Sequence, residues 1–384
     1  MVINVKSETA MSGFYIIFKG STMNEKPGWY GISHLCEHIL CKAIFHLQDT
    51  YQQKNIKWNA YTSVDTVVFY MTGIDRHINK YKNDFLNLLL DFKPTQKQLD
   101  NEKKIVLEEY KMSFNSQIES HYFNLQRKML SYYNPIGLRS DIENITLQDC
   151  NDYLDLYFKN PTKIINVSKF NDFETDIKFK VEIDVKPFEF KINDNLYIIT
   201  SDDNTDVPKG MIPLEIITEF KNKVSIIDVS TMLTKDFAYA SFVCEMLSSG
   251  LNSPLYKEVR EKLGLVYYIS CSLDKLNDKS CSISIITNTS KNNIERVQHE
   301  IKNILQNKEI YLTQERFDII KDKQLTKIEE NEILNNNISK YMENPEWMIE
   351  NIINTITLDD VYRVVDEYLN WDNMYKSVDI NEFS

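Results

Sequence analysis

Apolar and polar positions change their period several times along the chain. Residues 58–71, WNAYTSVDTVVFYM, are rich in β-branched and aromatic side chains and read as a strand. Three segments follow a helical period instead: KNDFLNLLLDF at 82–92, residues 95–118 and residues 289–306. Thr95-x-x-Gln98, directly after Pro94, is a capping box, so a helix begins there. The mixture predicts the α+β class, with two sheets each covered by helices.

The pattern also repeats. Ile145-Thr146-Leu147-Gln148-Asp149 opens ITLQDCNDYLDLYF, and Ile356-Thr357-Leu358-Asp359-Asp360 opens ITLDDVYRVVDEYL. Each puts Thr-x-x-Asp before an apolar run, a helix-start signal. Thr95-Gln96 pairs with Thr313-Gln314, and Ser33-His34-Leu35-Cys36-Glu37-His38 with Ser241-Phe242-Val243-Cys244-Glu245-Met246. Three matches in one order, at nearly one offset, predict two homologous domains, residues 1–180 and 181–384. The join falls within 169–223, a stretch rich in Asp, Asn, Lys and Pro. The second copy has Phe242 and Met246 where the first has His34 and His38. Whatever the two histidines do, only the first domain does it.

Composition narrows the class. At 384 residues, 42% hydrophobic and 26% charged, the chain can fill ordinary globular cores. A net charge of −12 argues against a nucleic-acid partner and against anionic membranes. No apolar run approaches the 18 or so residues of a membrane span, and the first residues lack a signal-peptide pattern. The six cysteines form no C-x-x-C pair; they read as reduced thiols, and the expected location is cytoplasmic.

The chemistry concentrates at His34-Leu35-Cys36-Glu37-His38. On a helix, positions i, i+3 and i+4 share a face, so both imidazoles reach one metal ion with a carboxylate beside them. Zinc accepts such ligands; a catalytic site uses three protein ligands and leaves one position open. Glu37, not itself a ligand, is placed to act as general base. The helix from Thr95 offers further carboxylates. Glu102 and Glu109 lie two turns apart on one face, and Glu108 points about 100° away. The charged run EKKIVLEEYK reads as a solvated helix as far as Glu108 is concerned. Glu109 fits that reading less well, beside Ile105, Val106, Tyr110 and Met112. Cys36 turns away from the histidine face, and His46, His77, His121 and His299 form no spaced cluster.

These residues resemble the M16 zinc metallopeptidases (pitrilysin, insulin-degrading enzyme, mitochondrial processing peptidase), whose inverted motif is His-x-x-Glu-His followed 70–80 residues later by a Glu-x6-Glu helix. The resemblance implies a LuxS/MPP-like metallohydrolase fold in each domain, a mostly antiparallel sheet covered by helices. It implies one Zn²⁺ per chain held by His34, His38 and Glu109, with Glu37 as base and Glu102 as a supporting carboxylate. Asn59-Ala60-Tyr61-Thr62 is similar to the family's edge strand, where the substrate adds as an extra strand. Asn59, Ala60 and Tyr61 would bind substrate there, Asn59 holding its backbone and Tyr61 lining a side-chain pocket. SSGLNSPLYKEVREKLGLVYYIS is similar to the family's Arg/Tyr signature, which implies Arg260 and Tyr267 as donors to the substrate carbonyl. Tyr268 competes, but Gly264-Leu265-x-Tyr267 sets the register. The expected activity is endopeptidase cleavage of peptides or unfolded segments. The expected assembly is a homodimer with composite sites, Arg260 and Tyr267 serving the partner's zinc. The other readings are a noncatalytic peptide-binding scaffold and one partner of a heterodimeric peptidase.

Overall fold

In a computed structural model, which describes residues 1–113, 121, 135–180, 196–200, 223–277, 280–333 and 348–380, the β-branched runs build two five-stranded sheets. The chain divides into two compact units: Met1–Met112 with Ser131–Asp184, and Ser113–Leu130 with Val185–Ser384. The expected boundary at 180/181 adjoins residues 181–195, which lie outside the described residues.

The sheet of the first unit comprises β1 (Val2–Lys6), β2 (Met11–Phe18), β3 (Lys57–Thr62), β4 (Val67–Ile74) and β5 (Lys163–Ser168), in the order β1-β5-β2-β4-β3. Only β1 and β5 pair in parallel; the other pairs are antiparallel. Central β2 is buried on both faces from Ser12 to Phe18, whereas β3, at the edge, alternates exposed and half-buried positions. That alternation is what an edge strand with one covered face produces. The 58–71 run is thus not one strand but a hairpin, broken at Ser63–Thr66. Ser63 N–H donates to the Thr66 carbonyl at 2.8 Å, and its hydroxyl donates to Asp65. Side-chain turn bonds of Ser and Asp outweigh the β-propensity of Val64 and Thr66.

Helices cover one face: α1 (Ile32–Phe45), the short α2 (Gln48–Gln53), α3 (Asp75–Asp91), α4 (Gln96–Ser113), α5 (Arg139–Asn144) and α6 (Leu147–Tyr157). The KNDFLNLLLDF helix starts earlier than its apolar run, at Asp75, and stops at Asp91 because Phe92 turns extended two residues before Pro94. The 95–118 helix is described as far as Ser113. Phe14, Phe18, Phe69 and Phe158 are almost wholly buried between sheet and helices. Each contributes about 1.5–3 kcal/mol of burial.

The second unit repeats the plan. Strands β6 (Leu196–Thr200), β7 (Lys223–Leu233), β8 (Ile269–Asn277), β9 (Ser280–Ser290) and β10 (Tyr375–Ile380) take the order β6-β10-β7-β9-β8, with β6 and β10 pairing in parallel and the other described pairs of this sheet antiparallel. The helices are α7 (Phe237–Ser248), α8 (Ile294–Gln306), the short α9 (Lys308–Tyr311), α10 (Gln314–Ile333) and α11 (Leu358–Tyr368). The 289–306 segment is therefore shorter as a helix than its pattern, since Thr289 and Ser290 complete β9. The duplicated start signals are both built. Thr146 N–H donates to Asp149 at 2.8 Å and Thr357 N–H to Asp360 at 2.9 Å, each answered by the reciprocal bond. Thr95 and Gln98 form the third box. Each such cap is worth about 1 kcal/mol.

No helix among the described residues is long and apolar enough to cross a membrane.

Candidate metal centre

The N-terminus of α1 is held from outside the helix. Gly31 sits at φ +99°, and a Cβ there would meet Gly137 Cα at 3.0 Å and the Ile136 carbonyl at 3.1 Å. Glycine is needed for conformation and for space. The carboxylate of half-buried Glu25 accepts from Gly31 N–H at 2.9 Å, from Ser33 N–H at 2.9 Å and from the Ser33 hydroxyl at 2.5 Å. A carboxylate there satisfies free donors and complements the helix dipole. Burial nonetheless pushes Glu25 up to about 7, against the pull of these bonds. Gly31→Ala is expected to destabilise the fold by about 2 kcal/mol, read as a fall in Tm of several degrees.

From that anchored start, His34 and His38 project from one face, their ring centroids 4.6 Å apart. The carboxylate of Glu109, from α4, completes the group: Oε2 lies 3.6 Å from His34 Nε2 and 3.5 Å from His38 Nε2. Among the described residues, His34, His38 and Glu109 form the only cluster of three or more such side chains able to hold a metal ion. The spacing fits zinc. Four ligands at 2.0–2.1 Å in a tetrahedron stand roughly 3.3–3.4 Å apart. Burial, with His38 as a secondary influence, lowers His34 to about 3, so near neutrality its ring is uncharged and its lone pair available.

Glu102 lies beneath the cluster, 3% exposed, with Oε2 at 3.5 Å from His38 Nδ1 and Oε1 at 3.0 Å from Lys42 Nζ. A carboxylate on the far nitrogen fixes ring and tautomer, and Lys42 compensates the buried charge. Glu102→Ala is expected to weaken zinc binding about 10- to 100-fold, measured by competition with a chromophoric chelator. Glu108 points away and pairs with Lys111. Of the neighbours that set Glu109 apart, Val106 and Tyr110 are buried, but Ile105 and Met112 are exposed.

Glu37 is buried within the same turn of α1. Its Oε2 accepts from the Thr62 hydroxyl at 2.9 Å, and Oε1 lies 3.9 Å from the Cys41 thiol. Burial raises its pKa, opposed by Thr62 and His38 and reinforced by Glu109. Sequence reasoning missed Glu25, Cys41, Lys42 and Thr62. For Cys41 and Lys42 the signal was present: they follow Glu37 and His38 by one helical turn.

On β3, Asn59 and Tyr61 are exposed and Ala60 half-buried at the sheet edge. In the second unit Arg260 lies on a π-helical turn, Tyr256–Lys262, its guanidinium stacked over Tyr256 at 4.5 Å and over Tyr267 at 5.1 Å. Tyr267 is 80% exposed, while the Tyr268 hydroxyl donates to Ser270. Cys36 is buried, as is Cys244, whose sulfur lies 3.2 Å from that of Cys271. His121 is buried between the hydroxyls of Ser225 and Ser377, and His46 and His299 are exposed.

The second unit retains the shape of the centre without its ligands. Phe242 and Met246 are wholly buried. At the offset that relates Thr95 to Thr313, Glu102 and Glu109 fall on Ile320 and Lys327. Lys327 and Lys323 bind Glu245, the counterpart of Glu37, at 3.1 and 2.7 Å. Burial pushes Glu245 up, but the lysines and Ser249 outweigh it and hold its pKa at about 2.

Comparison with known proteins agrees with this asymmetry. The insulinase model of peptidase family M16 matches residues 1–134, and the model of the peptidase M16 inactive domain matches residues 201–324. Together they cover well over half of the chain, which belongs to peptidase family M16. A single-half member of that family is what the two units define. The zinc protease PqqE of Helicobacter pylori is 25% identical over 175 residues, a match spanning 43% of this chain and 39% of that protein. A protease from Helicobacter pylori has the same fold, with a TM-score of 0.79 at 18% identity, covering 98% of this chain and 96% of that one. The peptidase M16 inactive domain from Pseudomonas fluorescens gives 0.78 at 15% identity, with 100% and 95% covered. The periplasmic protease PqqL of Escherichia coli gives 0.64 at 13% identity; this chain covers 46% of it.

Proposed function

We propose that the chain is a zinc-dependent endopeptidase acting on peptides or extended protein segments, with His34, His38 and Glu109 as ligands. The observation that carries this reading is the convergence of two imidazoles and a carboxylate, whose candidate ligand atoms all lie within 4.8 Å of one another, beside the buried Glu37. A zinc ion held there supplies Lewis acidity toward the scissile carbonyl and acidifies a water molecule. Glu37 accepts the water's proton and returns it to the leaving amine, a role suited to a carboxyl whose pKa burial raises. The exposed edge of β3 lets an extended substrate add as a strand along Asn59, Ala60 and Tyr61. Arg260 and Tyr267 donate to the substrate carbonyl oxygen as it gains charge.

The match of the inactive-domain model falls on the half that lacks the ligands, so it does not count against the first half. This chain spans about half the length of PqqL, and the reading taken here is a homodimer in which Arg260 and Tyr267 serve the partner's zinc.

Zinc analysis and a quenched fluorescent peptide library test the reading. The expected result is about one zinc per chain and cleavage abolished by a chelator. Protein purified without chelators that holds no zinc would instead make the peptide-binding scaffold the better reading.

A further inference from the structure

Thr62 ends the edge strand and touches the base. Along β3 the half-buried positions Trp58, Ala60 and Thr62 lie on the face opposite to exposed Asn59 and Tyr61. Helix α1 packs against this strand, and the Thr62 hydroxyl reaches Glu37, 25 residues earlier in sequence. Its backbone is fixed twice. It pairs with Val67 on β4, and the turn behind it is closed by Ser63 and Thr66. Asp65, in that turn, is in turn engaged by Lys19. As a β-branched residue Thr62 has few side-chain rotamers.

The Glu37 carboxylate has unequal contacts. Among the described residues, Oε2 accepts a hydroxyl hydrogen bond of ordinary length, 2.9 Å, and Oε1 faces a thiol at 3.9 Å, a weak donor. The hydroxyl is therefore what orients the group, and Oε1 is left to receive a proton.

We propose that Thr62 is a positioning residue for Glu37: it pins one carboxylate oxygen and ties the base to the strand on which the substrate is laid. This rests on the peptidase reading above. Substrate pairing along β3 then steadies the strand end that orients the base, so binding of extended backbone and readiness for proton transfer are joined through one side chain. Tyr61 and Asn59 contact substrate in this arrangement, whereas Thr62 acts only through Glu37.

Thr62→Val keeps shape and β-branching but removes the donor; Thr62→Ser restores it, and Thr62→Ala guards against a packing artefact from the valine. With the peptide that the wild type cleaves fastest, Thr62→Val and Thr62→Ala are expected to lower kcat about tenfold, the scale of one lost hydrogen bond to a charged group. KM should stay within about twofold, zinc per chain should be unchanged, and Thr62→Ser should recover most of the rate. A full kcat in the valine and alanine variants overturns the proposal, as does a loss carried by KM or zinc content and not rescued by serine. Either result leaves an active wild type, and so the peptidase reading, standing. A wild type with neither zinc nor cleavage removes that reading, and the role of Thr62 falls with it.

Discussion

Glu37→Gln is expected to lower peptide turnover by about 10³-fold while zinc remains at one per chain. The two readouts separate because Glu37 lies outside the triangle of His34, His38 and Glu109 and holds Thr62, not a histidine, by its shortest contact. The amide is nearly isosteric and still offers an oxygen to the Thr62 hydroxyl, so α1 should keep its geometry. What it loses is the capacity to carry a proton. Single-turnover cleavage of a quenched peptide, paired with elemental analysis, checks both halves of the expectation. Equal rates in wild type and variant would remove Glu37 from the mechanism. Loss of metal in the variant would move it into the ligand set.

The second large effect is expected on mixing. Glu37→Gln and Arg260→Ala subunits should each be nearly inactive alone. If Arg260 and Tyr267 serve the partner's zinc, a mixed dimer has one site with both substitutions and one with neither. Equal mixing gives half mixed dimers, so about a quarter of wild-type activity should return. Refolding or slow exchange of differently tagged subunits, followed by assay of the doubly captured dimer, reads this directly. Doubly captured dimers without activity would show that each chain completes its own site, and a chain that runs as a monomer would do the same.

The ligand helix was legible because its information is local. His34, Glu37 and His38 fall on one face by helical spacing alone, and the Phe242 and Met246 counterparts showed which half lacked the imidazoles. The capping boxes at Thr95, Thr146 and Thr357 were equally readable, since each is closed within four residues. What supports the site was not local. Glu25 reaches Gly31 and Ser33 from an irregular segment with no period to reveal it. Thr62 meets Glu37 only after β3 pairs and α1 packs. The 58–71 hairpin was misread because Val64 and Thr66 carry strand propensity, and the turn is made by the side chains of Ser63 and Asp65. Ile105 and Met112 resemble core residues in sequence, yet both lie on the side of α4 that is open to solvent.

Glu245 has a consequence for the history of the duplicated halves. Its two lysine partners put positive charge on the carboxylate that corresponds to the base of the other half, and one of them, Lys327, occupies the position of Glu109. Restoring that glutamate alone would set two acids against each other beside apolar Phe242 and Met246. Restoring the histidines alone would crowd imidazoles against ammonium groups. Each single reversal is expected to cost stability, so the difference between His34, His38 and Glu109 in one half and Phe242, Met246 and Lys327 in the other works as a ratchet. Once made, it commits the two halves to different trades, and a second cluster of two imidazoles and a carboxylate is reached only by changing three positions, Phe242, Met246 and Lys327, together.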